Sequence, residues 1–244
     1  MRNFKIRVEY DGTGFHGWQK QPGLRTVQGL MEDAVATIFG RHVPVHGAGR
    51  TDAGVHAIGQ VCNFVVETSY SPVQVGRALS GVLPEDIQIR RVDEVDLEFH
   101  ARFDACRRRY VYYLRTEPTA IGRRFAHVVT YPLDVERMRA AAQSLVGEKD
   151  FTSFTPTRSS DVPTVCDVRS VDIKQKDDVI SIEILADHFL HHMVRVIVGT
   201  LIEVGRGRVS PEHMETILCR KDRAAAGPTV PPNGLFLVDV CYGD

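Results

Sequence analysis

The sequence predicts an α+β protein built on antiparallel sheets. Three features of the pattern carry this: strand-like alternation opens the chain, helical periodicity follows it, and strands then succeed one another directly instead of alternating strictly with helices. The elements follow in order. Phe4, Ile6, Val8 and Tyr10 alternate with Lys5, Arg7 and Glu9, which makes a half-buried strand. Val27, Leu30, Met31, Ala34, Val35 and Ile38 repeat at helical spacing, with Thr26 placed to cap the helix. A short strand is expected over 43–45, a glycine-punctuated loop over 47–59, and a strand over 61–66. Ser71 followed by Pro72 signals a cap and a proline at the first helical position, opening a helix to about Val82. Residues 87–92 read as a strand.

The second half has a similar order. Residues 109–115 form a tyrosine-rich strand. Asp134 caps a helix with the apolar stripe Val135, Met138, Ala141, Ala142 and Leu145. Strands over 165–173 and 179–185 flank a polar turn. A long amphipathic helix is expected over 189–204, Ser210-Pro211 opens a short one, and 235–242 is a last strand. Each half therefore reads β-α-β-β-α-β, with one extra helix in the second. This order suggests two ferredoxin-like units, 1–105 and 106–244, although no short sequence repeat accompanies it.

Composition narrows the function classes. A hydrophobic fraction of 43% and a charged fraction of 25% over 244 residues fit a globular chain and exclude disordered and collagen-like classes. No apolar run approaches the ~18 residues of a membrane span, and the charged N-terminus is not a signal peptide. Five widely spaced cysteines without a CxxC argue against a disulfide framework or a cysteine zinc site, and most are expected to be buried. A reducing, cytoplasmic setting follows from these features. Of the 30 basic residues, 24 are Arg and 6 are Lys. Arginine suits bidentate phosphate contacts and stacking on bases, so a net charge of −1 leaves a nucleic-acid partner open provided the basic residues are segregated.

Several motifs are decoys. Residues 12–17 match GxGxxG after a strand, but Trp18 to Gly23 intervene before any helix, so no helix N-terminus can face a pyrophosphate. There is no GxxxxGK[ST] and no GxSxG. His191 and His192, taken as helical neighbours, would point about 100° apart and could not share a metal.

Three segments carry candidate chemistry. In Gly47-Ala48-Gly49-Arg50-Thr51-Asp52-Ala53-Gly54-Val55-His56, the glycines allow close backbone approach to a ligand. Asp52 before a small residue and Gly reads as a turn former; beside Arg50 it also reads as an anionic nucleophile kept ionised by a cation. From Phe99 to Tyr113, arginines 102, 107, 108 and 109 interleave with Phe103, Tyr110, Tyr112 and Tyr113, a pattern that suits phosphate contacts and base stacking. An edge strand with a charged start and a tyrosine-lined core would show the same pattern. In the third segment Arg195 lies among Met193, Val194, Val196, Ile197 and Val198, and either pairs with a carboxylate from elsewhere or snorkels to solvent.

Together these segments resemble the tRNA pseudouridine synthase A family. The matching runs are Gly49 to His56, Phe99 to Phe103 with Arg109-Tyr110, and His191 to Arg195 with Ile197 to Gly199. Glu9 to Gly12, Gly17 to Gln19, Asp150 to Phe154 and Gly234-Leu235 support them. The resemblance implies isomerisation of uridine to pseudouridine at positions 38, 39 and 40 of the tRNA anticodon stem-loop. It implies a homodimer of α+β subunits, each with two ferredoxin-like halves that meet around a central catalytic cleft, with no metal or organic cofactor. By motif position Asp52 is the nucleophile, Tyr110 stacks on the target base, Arg195 pairs with Asp52, and Arg50 helps extrude the target nucleotide. Arg102, Arg107, Arg108 and Arg109 are the further candidate RNA contacts. Two positions depart from the family pattern: Val196 stands where Asn is common, and Thr229-Val230-Pro231-Pro232 replaces Thr-Ala-Pro-Ala. A catalytically silent RNA-binding or tRNA-folding module on the same scaffold is the alternative reading.

Overall fold

A computed structural model describes residues 1–156 and 163–243 and shows a mixed α+β chain with mostly antiparallel strands. In chain order the elements are β1 (Arg2–Tyr10), α1 (Val27–Phe39), β2 (His46–Gly47), β3 (His56–Val66), α2 (Pro72–Val82), β4 (Ile87–Val95), β5 (Ala105–Arg115), β6 (His127–Val128), α3 (Val135–Gln143), β7 (Gly147–Asp150), β8 (Val165–Lys176), β9 (Val179–Ala186), α4 (Met193–Gly205), α5 (His213–Arg220) and β10 (Leu235–Tyr242). Two compact units result: Met1–Cys106 with Phe236–Asp244, and Arg107–Leu235. The chain thus passes between units twice. From Phe236 onward it returns to the first unit, where Phe236 and Leu237 pair in parallel with His56 and Ala57 of β3.

In the first unit β1 lies between antiparallel partners β4 and β3, and β2 pairs with the far end of β3. The alternation read from sequence is realised: Phe4, Ile6, Val8 and Tyr10 are buried. Phe4 sits opposite Phe64 in register, with ring centroids 5.8 Å apart. Burying side chains of this size contributes roughly 2 kcal/mol each. Val27, Met31, Ala34 and Val35 of α1 and Val75 and Leu79 of α2 complete this core. The expected caps form. Thr26 accepts from the Gly29 amide, and Ser71 and Gln74 exchange a full capping box. Each such cap contributes about 1 kcal/mol.

In the second unit β9 lies between β5 and β8, β7 extends β8, and the short β6 adds to β5 in parallel. Asp134 caps α3 through the Arg137 amide. Helix α4 is buried along almost its whole length, from Met193 to Gly205. Gly205 lies where a Cβ would stand 2.8 Å from the Met138 sulfur, so α3 and α4 pack closely there.

Several expectations are corrected. β3 begins at His56, so the glycine-rich loop is only 48–55, and β2 lies three residues beyond its expected place. β6 and β7 were not anticipated. Helix α4 starts at Met193, not 189, because His192 adopts a left-handed φ of 60°. His191 and His192 are therefore not helical neighbours, and their rings lie 3.8 Å apart rather than diverging. Only Cys62 and Cys166 are buried; Cys106 and Cys219 are exposed. The polar segment between Phe154 and Thr164 lies mostly outside the described residues.

Candidate functional site

The residues singled out from sequence fall on both units. Arg50, Asp52 and Arg102 belong to the first, and Arg107, Arg108, Arg109, Tyr110 and Arg195 to the second.

Asp52 occupies the first position of a turn closed by the Val55 amide donating to the Asp52 carbonyl at 3.1 Å. Gly54, two residues on, takes φ 78°, the left-handed backbone this turn requires and glycine supplies without strain. The turn and the candidate nucleophile are thus the same residues. What distinguishes this turn is how its backbone is held. The Trp18 amide donates to the Thr51 carbonyl at 3.0 Å, and the Gly54 amide to the Phe15 carbonyl at 3.2 Å. The Tyr10 hydroxyl meets Thr51 Oγ1 at 2.8 Å, and Gln60 Nε2 donates to the Gly49 carbonyl at 3.0 Å. Tyr10, Thr51 and Gln60 are all buried, and burial drives the Tyr10 phenol well above its ordinary pKa. The phenol serves here as a hydrogen-bonding partner of Thr51. The backbone is fixed on both sides of Asp52, whose side chain is partly exposed, while Arg50 is exposed.

The glycines of the decoy motif are the seat of this turn. A Cβ on Gly12 would run into the Val55 carbonyl, and one on Gly17 would stand 2.6 Å from the Thr51 carbonyl oxygen. Gly17 also has φ 88°. Trp18, the single tryptophan, is buried beneath Gly47, where its indole leaves no room for a Cβ. The Gly12 amide donates to Nδ1 of buried His56 at 3.0 Å, and the His56 ring stacks on Phe236 at 4.7 Å. The sequence signal for this seat is the GxGxxG run with no helix behind it.

In the second unit Tyr110 is buried on β5 opposite Ile184 and meets Phe189 edge-to-face, with centroids 4.9 Å apart. Tyr112, two residues on and on the same face, is fully buried and donates its hydroxyl to the Pro231 carbonyl at 2.7 Å. It is the structural tyrosine of the pair. Arg195 lies in the first turn of α4, partly exposed, and its Nε donates to the Val230 carbonyl at 2.8 Å. That bond sets the plane of the guanidinium. The segment carrying Val230 is packed onto α4: the Gly227 amide donates to Thr200 Oγ1 at 2.9 Å, and Gly199 leaves room for the Pro228 carbonyl. The replaced stretch Thr229 to Pro232 contributes the backbone carbonyls of Val230 and Pro231, the Thr229 hydroxyl that accepts from Arg223 at 3.0 Å, and the buried Val230 side chain.

Arg107, Arg108 and Arg109 alternate along β5 and do not share one face. Arg108 donates to the Asp187 carbonyl at 2.7 Å, and Arg109 lies 4.0 Å from Glu183. The Arg109 Nε is buried without a hydrogen-bond partner among the described residues.

A family model described as tRNA pseudouridine synthase matches residues 6–104 and 141–243 of the chain. The chain belongs to this family. It is similar to the tRNA pseudouridine synthase A of Acetivibrio thermocellus, at 42% identity over 99% of this chain and 100% of that one. The protein of the same name from Thermoanaerobacter sp. strain X514 is 43% identical with the same coverage. That from Nitrosomonas europaea is 42% identical, covering 97% of this chain and 88% of the relative. Among the described residues no helix is long and apolar enough to cross a membrane. The matched segments of this family include both the pinned Asp52 turn and the Arg195 helix.

Proposed function

We propose that the protein isomerises uridine to pseudouridine in tRNA, at positions 38, 39 and 40 of the anticodon stem-loop, with Asp52 as the nucleophile. The observation that carries this reading is a single carboxylate on a turn whose backbone is hydrogen-bonded on both sides, within a chain of the pseudouridine synthase family. The reaction breaks the C1′–N1 bond, turns the base and forms a C1′–C5 bond. The C5 proton is lost, one returns to the freed nitrogen, and nothing is oxidised. An ionised carboxylate serves any of three routes: attack at C1′, attack at C6 of the uracil, or a proton step at the sugar. Each requires the carboxylate to be held still while the detached base rotates, and fixed positioning of this kind can supply several kcal/mol of the barrier.

In this reading Tyr110 stacks on the target base, and Phe189 orients its ring. Arg195, its guanidinium plane set by the bond to Val230, is the residue this reading pairs with Asp52. A base inside a stem must leave its stack at a cost of a few kcal/mol, and Arg50 fills the gap it leaves. The exposure of Arg50 supports that role. The enzyme acts in the cytoplasm as a homodimer. Incubating the purified protein with unmodified tRNA and mapping pseudouridine tests the proposal. Modification at 38 to 40 is expected, whereas tight binding without modification would favour the silent module.

A further inference from the structure

The segment 96–104 of the first unit is held by an unusual amount of buried polar chemistry. Asn3 on β1 and Asn63 on β3 are 0% and 2% exposed. Asn3 Nδ2 donates to the carbonyls of Asp96 and Phe99, both at 2.9 Å, and Asn63 Nδ2 donates to Asn3 Oδ1 and the Phe99 carbonyl. The Ala101 amide returns a bond to Asn63 Oδ1 at 2.9 Å, and the Tyr242 hydroxyl donates to the Ala101 carbonyl at 2.7 Å. Burying two amides is costly unless they are satisfied, and here their bonds go largely to one irregular segment.

That segment ends in a tight turn. The Asp104 amide donates to the His100 carbonyl at 3.1 Å, Asp104 Oδ2 accepts from the His100 amide at 2.9 Å, and His100 Nδ1 accepts from the Arg102 amide at 3.1 Å. The last bond keeps Nδ1 unprotonated, and burial together with His46 lowers the His100 pKa in the same direction. Phe103 stands on this rigid turn, 75% exposed. Its ring lies 4.4 Å from the His100 ring, which in turn lies 4.8 Å from His46. The Arg102 guanidinium is 5.7 Å from the Phe103 centroid. A large aromatic ring in water, backed by imidazoles and flanked by an arginine, combines a π-face with positive charge.

We propose that Phe103, backed by His100 and His46 and flanked by Arg102, is a stacking platform for an unpaired base of the RNA substrate. The inference rests on the tRNA reading and goes beyond it by adding a binding residue outside the loop 48–55. The local charge favours RNA over a second copy of the chain. The core of a protein interface is depleted of charge, whereas cations beside exposed aromatics mark single-stranded nucleic-acid contacts.

The test measures binding of unmodified tRNA to the wild-type protein and to Phe103→Ala, Phe103→Leu and Phe103→Trp, with the pseudouridine assay and sedimentation run on the same preparations. Loss of one base stack weakens binding about 5- to 150-fold. The Ala and Leu variants should show this loss, and should need a correspondingly higher protein concentration to reach half of their maximal single-turnover rate. The Trp variant should bind like wild type, and its emission should fall on adding RNA beyond any change in wild type, whose only tryptophan is buried. Unchanged affinity in the Ala and Leu variants would overturn the platform. So would a drop in sedimenting mass in the Ala variant, since that would assign Phe103 to an interface between copies. Absence of pseudouridine with wild type would count against the activity reading alone, because the binding series reads the platform independently.

Discussion

Gly17→Ala tests how far the Asp52 turn depends on the loop beneath it, without touching the carboxylate. Gly17 has φ 88°, and a Cβ there would lie 2.6 Å from the Thr51 carbonyl oxygen. The left-handed backbone costs an alanine roughly 1–2 kcal/mol. Relieving the contact moves Thr51 away from Trp18 and strains the 3.0 Å bond between them, worth about 1 kcal/mol. A destabilisation of about 2–3 kcal/mol follows, measured as a shift of the denaturant midpoint with an unchanged slope. Because the displaced carbonyl is that of the residue before Asp52, the chemistry should suffer as well. A displacement approaching 1 Å costs up to about 100-fold in rate, so single-turnover pseudouridine formation should fall by roughly ten- to 100-fold. Affinity for tRNA should hold. Wild-type stability and rate in this variant would refute the claim that residues 12–17 seat the turn.

Other predictions concern the second unit. Arg195→Lys keeps the charge but loses the planar Nε donor to Val230, and Arg195→Met loses both. Activity should fall strongly in each, more in Met, and a Lys variant with the wild-type rate and pH profile would contradict the orienting role of that bond. Asp150 is held below the ordinary carboxylate range: desolvation opposes ionisation, but bonds from Lys221 at 2.8 Å and from the Thr152 hydroxyl and amide outweigh it. A carboxylate with a depressed folded pKa stabilises the fold above its unfolded pKa, and that contribution is lost as pH falls through the folded value. Asp150→Asn should therefore lower stability at neutral pH and flatten the decline below about pH 4. A variant with the same acid limb as wild type would exclude Asp150 as a contributor.

The comparison of sequence with structure divides along the range of the interactions. Thr26, Ser71 and Asp134 cap their helices as read, because a cap is decided by residues within one turn. The two-residue strands β2 and β6 and the four-residue β7 are defined by partners distant in the chain, and no periodicity fits into so few residues. The start of α4 is not legible because Phe189 continues the apolar pattern, while the left-handed His192 that sets the boundary has no sequence signature. At the candidate site, the glycine-rich loop that carries Asp52 was legible in the sequence. Tyr10, Gln60 and Gly17 were not, since their connection to Asp52 depends on β1 and β3 bringing distant segments together. The acceptor for Arg195 could not be read either, because it is the backbone of Val230, which any residue there would provide.

The central claim is that the carboxylate of Asp52 performs the chemistry, and Asp52→Ala addresses it most directly. The turn is held by backbone bonds and by Thr51, so the variant should fold and bind unmodified tRNA like wild type. Single-turnover pseudouridine formation at positions 38, 39 and 40 should then be undetectable. Turnover near the wild-type rate in this variant would contradict the account.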